Sequence, residues 1–178
     1  PHWYESNAAL LEKFGDAVMP REHEWDSRWW SPIINAEHLQ MREAGGIVDL
    51  TAFVVFDVLG PQALEAVDRV IVANADVPVG KVVYTPVLDE RGVFRSDLTV
   101  MRLAHDHFRV VTGSSHGMQD LKWWTDRMPE GAVCVDVTSA VSTVGLWGPQ
   151  AAAVLGSLTA ADVSPGAFAF GTCRQIEI

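Results

Sequence analysis

Tyr84 and Asp97 are the residues of this sequence best placed to do chemistry. They lie in a stretch that reads as one β-hairpin: a strand from Lys81 to Leu88, a turn at Asp89-Glu90-Arg91-Gly92, and a strand from Val93 to Leu103. A four-residue turn sets Leu88 opposite Val93, so Tyr84 falls opposite Asp97 and Val82 opposite Thr99. Directly opposed residues share a face, with Cβ atoms about 5 Å apart. Phe94, Leu98 and Val100 make the core-like set of the other face, so Tyr84, Asp97, Thr99 and Met101 look away from the helices. A slip of two residues keeps that face and a slip of one reverses it. A carboxylate on a mostly apolar surface has its pKa raised by desolvation unless a partner compensates. It can then serve as a general base or hold a substrate nitrogen. The plain alternative is an exposed strand aspartate, or one paired with Arg95 or Arg102.

Other reactive residue types carry weaker signals. Ser114, Ser115 and His116 are adjacent in the chain, whereas triad members meet in space, so a loop leading into a helix is the expectation. His23 between Glu22 and Glu24, and His105 and His107 around Asp106, lack metal-ligand spacing. No metal site is expected. Gly45-Gly46 and Gly113 do not form a phosphate-binding fingerprint. Cys134 and Cys173 are too few for a disulfide scaffold and read as buried free thiols in a reducing compartment.

The elements that position these residues follow from periodicity and turn chemistry. Residues 1–44 form an arm rich in large aromatics (Trp3, Tyr4, Trp25, Trp29, Trp30), with Pro20 and Pro32 breaking any long helix. Short helices are expected at 8–14 and 34–43. Packing over a neighbouring domain would bury the arm's aromatics, and so would folding back on its own domain. From Gly45 the chain alternates strands (46–51, 53–59, 81–88, 93–103, 108–112, 133–137 and 142–147) with helices near 61–72, 118–128 and 149–158. Val58-Leu-Gly-Pro-Gln-Ala63 recurs as Leu146-Trp-Gly-Pro-Gln-Ala151, each at a strand-to-helix junction. The expected fold class is therefore α+β: antiparallel sheets with helices on one face and duplicated strand-GlyPro-helix units. A first subdomain is placed at 45–130 and the start of a second at 131–178.

With 178 residues, 48% hydrophobic and 20% charged, the chain can bury a real core and is neither disordered nor collagenous. No apolar run approaches the roughly 20 residues of a membrane span. A formal charge of −10 argues against a general nucleic-acid or anionic-membrane binder, whose affinity rests on neutralising phosphates. It leaves room for a small anionic ligand held by local donors. The chain opens Pro1-His2-Trp3 and stops within the alternating Gln175-Ile176-Glu177-Ile178, so both ends read as cut from something longer.

Four segments in order carry a resemblance: Gly46-Ile-Val-Asp-Leu-Thr51, Val58-Leu-Gly-Pro-Gln-Ala63, Tyr84-Thr-Pro-Val-Leu-Asp89 and Gly92-Val-Phe-Arg-Ser-Asp-Leu-Thr-Val100. Together they resemble the folate-binding aminomethyltransferase family, which includes the glycine cleavage T-protein and the C-terminal half of dimethylglycine and sarcosine dehydrogenases and oxidases. Pro1-His-Trp-Tyr-Glu-Ser-Asn7, Val111-Thr-Gly-Ser-Ser115 with Asp120-Leu-Lys-Trp123, and Gly145-Leu-Trp-Gly-Pro-Gln-Ala151 are similar to the flavin-enzyme branch.

The resemblance implies part of a three-domain cloverleaf with a central tetrahydrofolate site. It places the family's key acid on Asp97, its tyrosine on Tyr84, pterin-lining positions on Thr99 and Met101, and a phenylalanine on Phe170. Thr99 and Met101 differ in type from the residues common at those positions. The family's later Tyr-Thr-Gly-Glu stretch and downstream arginine have no counterpart in these residues, which implies weak folate binding by this chain alone. FAD is implied only in an upstream domain outside this sequence, docked or covalently joined. Three readings follow. One is the folate domain of a flavin-dependent N-methyl amine dehydrogenase, passing a one-carbon unit to tetrahydrofolate as 5,10-methylenetetrahydrofolate. The others are a free-standing T-protein aminomethyltransferase and a non-catalytic folate-binding module. The implied partners are folate, a one-carbon donor and a flavin oxidoreductase, without nucleic acid or membrane; the implied compartment is cytoplasm, or mitochondrial matrix in a eukaryote.

Overall fold

The computed structural model describes residues 7–19 and 31–178. Trp3, Tyr4, Pro20, His23, Trp25, Trp29 and Trp30 of the aromatic arm lie outside the described residues. In chain order the described elements are α1 (Leu10–Phe14), a 3-10 turn (Gly15–Val18), α2 (Pro32–Glu43), β1 (Gly46–Asp49), β2 (Val54–Leu59), α3 (Ala63–Asp68), β3 (Val82–Leu88), β4 (Phe94–Ala104), β5 (His107–Thr112), α4 (Gly117–Thr125), β6 (Val133–Asp136), a 3-10 turn (Thr138–Ala140), β7 (Val144–Trp147) and α5 (Ala151–Gly156). They fall into two compact units. One comprises Pro1–Val48 with Gly145–Leu158, the other Asp49–Val144 with Thr159–Ile178.

In the first unit, Pro32 starts a helix rather than ending one. It occupies the first turn of α2, where its missing N–H costs nothing, and the Ser31 side chain accepts from the Ile34 N–H at 3.3 Å. Asn7 Nδ2 donates to Glu37 Oε1 at 2.7 Å and Lys13 Nζ to Gln40 Oε1 at 2.7 Å, tying α1 to α2. β1 and β7 pair in a two-stranded sheet.

The second unit is a five-stranded sheet in the order β3-β4-β5-β2-β6, with every neighbouring pair antiparallel. Its core lies on one face. Phe56 and Val58 of β2, Leu98 and Val100 of β4, and Phe108 and Val110 of β5 pack with Ala63, Ala66 and Val67 of α3 and Trp124 of α4. The Phe56 and Trp124 rings meet edge to face, 5.4 Å apart. The expected α+β class, with helices on one face of an antiparallel sheet, is what this unit shows. The helix expected at 61–72 stops at Asp68 because Ile71 turns extended and bridges Val87.

The repeated six-residue segment builds the same junction twice. Gly60 has φ 117° and Gly148 φ 104°; Gln62 and Gln150 then cap six-residue helices beginning at Ala63 and Ala151. The bonds repeat as well: Ala63 N donates to Gly60 O and Ala66 N to Gln62 O, as Ala151 N does to Gly148 O and Val154 N to Gln150 O. A side chain would fit at neither glycine. A Cβ on Gly60 would lie 2.3 Å from Gly131 O, and one on Gly148 2.4 Å from Met41 O.

Candidate functional site

The hairpin carrying Tyr84 and Asp97 closes through five residues rather than four. Leu88 pairs with Phe94, while Asp89 Oδ1 accepts from the Arg91 and Val93 N–H groups at 2.9 Å each, and Gly92 takes φ 77°. Val87 then pairs with Ser96, which leaves Arg95 as an extra residue in β4, a bulge. Loop and bulge each move the register by one. Tyr84 is therefore opposite Thr99, Val82 opposite Met101 and Pro86 opposite Asp97. The direct Tyr84–Asp97 pairing expected from a four-residue turn is corrected to a diagonal one. Either shift alone would have turned Asp97 to the helix side; the two together return it to the open face. Phe94, expected in the core, lies before the bulge and is 60% exposed. Ser96 and Arg102 share the buried side with Leu98 and Val100.

Tyr84 is 70% exposed, and its phenol donates to Asp97 Oδ2. That hydrogen bond above all, with some desolvation and the charge of Asp97, raises the tyrosine's pKa above its ordinary value. At neutral pH the phenol therefore stays the donor, and among the described residues no side chain bonds Asp97 Oδ1. Asp97 faces solvent, as the plain alternative had it, but neither arginine takes it. Arg102 Nη1 donates to Asp76 Oδ1 at 2.8 Å and Val77 O at 2.6 Å. The Arg95 guanidinium stacks 3.8 Å from the centre of the Trp123 ring.

The sheet register extends this face. Tyr84, Thr99, Val111 and Val55 form one cross-strand row; Val82, Met101, Arg109, Asp57 and Val135 form the next. Sequence reading missed the second row's ion pair. Arg109 Nε and Nη2 donate to the Asp57 carboxylate at 2.8 and 3.0 Å, and His107 Nε2 lies 3.0 Å from Asp57 Oδ2. A charged residue inside Phe53-Val-Val-Phe-Asp-Val-Leu was the available signal, but its partner emerges only from the β2–β5 pairing. Asp57 is 6% exposed. Burial alone would raise its pKa, yet the Arg109 hydrogen bonds and the nearby His107 outweigh that and hold it below the ordinary carboxylate value.

A depressed folded-state pKa contributes stability above the unfolded pKa, and that stability is lost as pH falls through the folded value. Asp57→Asn should accordingly cost about 2 kcal/mol at pH 7, the scale of hydrogen bonds to charged groups. The gap from wild type should shrink in acid, as pH falls below the ordinary carboxylate value through the lower folded value of Asp57. Urea melts at neutral and acid pH read this directly.

Phe170 is fully exposed beside the outer edge of β3, where the Val82 N–H donates to Gly171 O at 2.9 Å. Of the residues singled out, the structure hydrogen-bonds Tyr84 to Asp97 and sets Thr99 and Met101 on the same face; Phe170 stands at the rim. His116 precedes α4 and accepts through its carbonyl from the Asp120 N–H at 2.8 Å, with no side-chain cap. The two cysteines are free and only partly buried. Burial pushes the Cys134 thiol up to about 11 and raises Cys173 as well. Cys134 is therefore expected to react roughly 100-fold more slowly than an ordinary thiol at pH 8, because the thiolate is the reacting form. Timed labelling with a thiol reagent and peptide mapping measures this, with Cys173 modified first.

The family model of the GCVT N-terminal domain matches residues 1–178 of this sequence. The chain belongs to the GCVT N-terminal domain family. It is 34% identical over 151 residues to 4-methylaminobutanoate oxidase (formaldehyde-forming) of Paenarthrobacter nicotinovorans, covering 84% of this chain and 18% of that protein. It is 28% identical over 181 residues to mitochondrial dimethylglycine dehydrogenase of Rattus norvegicus, covering all of this chain and 20% of the relative. An aminomethyltransferase of Chlorobaculum parvum is 33% identical over 157 residues, covering 86% of this chain and 41% of the relative. The chain thus spans about one fifth of the amine oxidoreductases and about two fifths of the aminomethyltransferase. The crystal structure of the glycine cleavage system aminomethyltransferase T from Bartonella henselae superposes with a TM-score of 0.67 at 24% identity, over 84% of this chain and 42% of that one. That likeness shows the fold. This GCVT N-terminal domain is an aminomethyltransferase-like member of an enzyme family, related both to amine oxidoreductases and to free-standing aminomethyltransferases. Among the described residues no helix is long and apolar enough to cross a membrane.

Proposed function

We propose that this domain receives a one-carbon unit onto tetrahydrofolate, as the folate domain of a flavin-dependent N-methyl amine oxidoreductase. The observation that carries the reading is the Tyr84–Asp97 pair, hydrogen-bonded and open to a ligand on the sheet face opposite the core of a GCVT-family domain. The residues fit the group. A pterin is flat and carries ring N–H donors. Asp97 offers a free carboxylate oxygen, while Thr99, Met101 and Val111 make a shallow, largely apolar floor beside it. Tetrahydrofolate, when bound, supplies the amine nitrogens that take up the one-carbon unit.

The chain's own residues do the rest. Asp97 Oδ1 accepts a ligand N–H and can take its proton as the nitrogen becomes nucleophilic. Tyr84 donates to Oδ2, which orients the acid and spreads its charge. Phe170 at the rim offers an aromatic surface for the ligand's ring system. The relationship to 4-methylaminobutanoate oxidase and dimethylglycine dehydrogenase supports an N-methyl amine as the one-carbon source; FAD in a separate domain is what the family resemblance implies. The similarity to the Chlorobaculum parvum aminomethyltransferase supports a second reading, in which the unit arrives as an aminomethyl group on a carrier protein.

The test uses the intact protein with an N-methyl amine and an electron acceptor. Adding tetrahydrofolate should divert the released formaldehyde into the folate product without changing amine consumption. Formaldehyde release that ignores tetrahydrofolate would overturn the reading.

A further inference from the structure

The bulge that sets the hairpin register is pinned from its buried side by α4, at two consecutive residues. Arg95, the extra residue, stacks its guanidinium on Trp123, 3.8 Å from the ring centre. Arg127 stacks on the same indole at 3.1 Å, and its Nη2 donates to Glu90 Oε1 at 2.7 Å, which draws in the hairpin turn as well. The next residue, Ser96, is 3% exposed and donates from Oγ to Asp120 Oδ1 at 2.9 Å; Thr112 Oγ1 of β5 donates to Asp120 Oδ2 at 2.5 Å. Asp120 is itself 2% exposed and lies three residues before Trp123, so both anchors project from neighbouring positions on one helix. The residue after Ser96 is Asp97, on the opposite face.

We infer that Arg95, Trp123, Ser96 and Asp120 are positioning residues: α4 clamps the β4 bulge from behind and thereby holds Asp97 diagonal to Tyr84 on the open face. A bulge is a local irregularity that a strand can lose by sliding one residue. A slide of one here would turn Asp97 into the helix layer. Two anchors of different chemistry, a planar cation on an indole and a buried hydrogen-bonded carboxylate, resist that slide where neither strand alone would. The neutral hydroxyls of Ser96 and Thr112 satisfy Asp120, so the buried acid serves as a fixed acceptor rather than a partner for Asp97. The inference concerns how the pair is built; only its consequence for turnover rests on the folate reading.

The readout is the ultraviolet titration of Tyr84 itself, with no folate present. The signal of Tyr84 is isolated by subtracting the titration of a Tyr84→Phe reference made in the same intact-protein background. In that background Tyr84 should titrate above the ordinary value of about 10, and Asp97→Asn should bring it back to about 10. Arg95→Ala and Trp123→Leu, checked for native circular dichroism, should lower the midpoint toward the Asp97→Asn value. Arg95→Lys, which keeps a cation over the indole, should retain most of the shift. If either of the first two loses the fold, Ser96→Ala carries the same test, because it deletes one hydroxyl and little volume. Folded variants that keep the wild-type midpoint would overturn the clamp and leave the folate reading untouched.

Discussion

Asp97→Asn in the intact protein should lower tetrahydrofolate-coupled turnover at least about 100-fold while leaving amine oxidation unchanged. Proton transfer by a positioned side chain contributes roughly 10²- to 10⁴-fold, and an amide can neither take a proton nor carry the charge that orders a ligand N–H. The substitution preserves shape, and Asp97 is exposed on a strand, so the fold should survive. Tyr84→Phe keeps the acid and removes one donor to it. Losing one solvent-exposed hydrogen bond should lower turnover only a few-fold. The ordering is therefore the prediction: a large loss at the acid and a small one at the phenol, measured as formaldehyde released against folate product formed. Equal, small losses at both would mean that the pair merely shapes the surface.

Gly60→Ala should be among the most damaging single-methyl changes at the described glycines. Its φ of 117° is a conformation that costs a side chain about 1–3 kcal/mol. In addition, the new Cβ would stand 2.3 Å from the Gly131 carbonyl oxygen, and making room for it costs on the order of 1–3 kcal/mol more. Gly92→Ala is the control. Its φ is 77°, but nothing lies within 4 Å of the added carbon, so the cost should be about 1 kcal/mol. Denaturant midpoints of the two variants should differ severalfold in their displacement from wild type. Similar displacements would show that backbone strain alone, without the close approach, accounts for the glycine in the repeated junction.

Most of the architecture was legible because it is local. Alternation over 82–88 and 107–112, and the Gly-Pro breaks after Leu59 and Trp147, specify strands and junctions that the structure reproduces within a few residues. Element ends were less legible. Pro32 reads as a breaker and proves to be a helix start, a distinction set by the cap at Ser31. The face of Asp97 was legible, but its register was not. Turn length cannot reveal a bulge whose anchors, Trp123 and Asp120, lie more than twenty residues further on. For the same reason Asp57–Arg109 stayed hidden, since β2 and β5 are distant in sequence and meet only in the sheet. What carries chemistry here depends on long-range pairing, which periodicity does not encode.

The most direct measurement is a crystal structure of the intact protein with a stable reduced-folate analogue. The account predicts the pterin ring on the open face of the five-stranded sheet, with a ring nitrogen in hydrogen-bond contact with Asp97 and the Tyr84 hydroxyl still bonded to that carboxylate. A pterin bound elsewhere, with Asp97 and Tyr84 untouched, would contradict it.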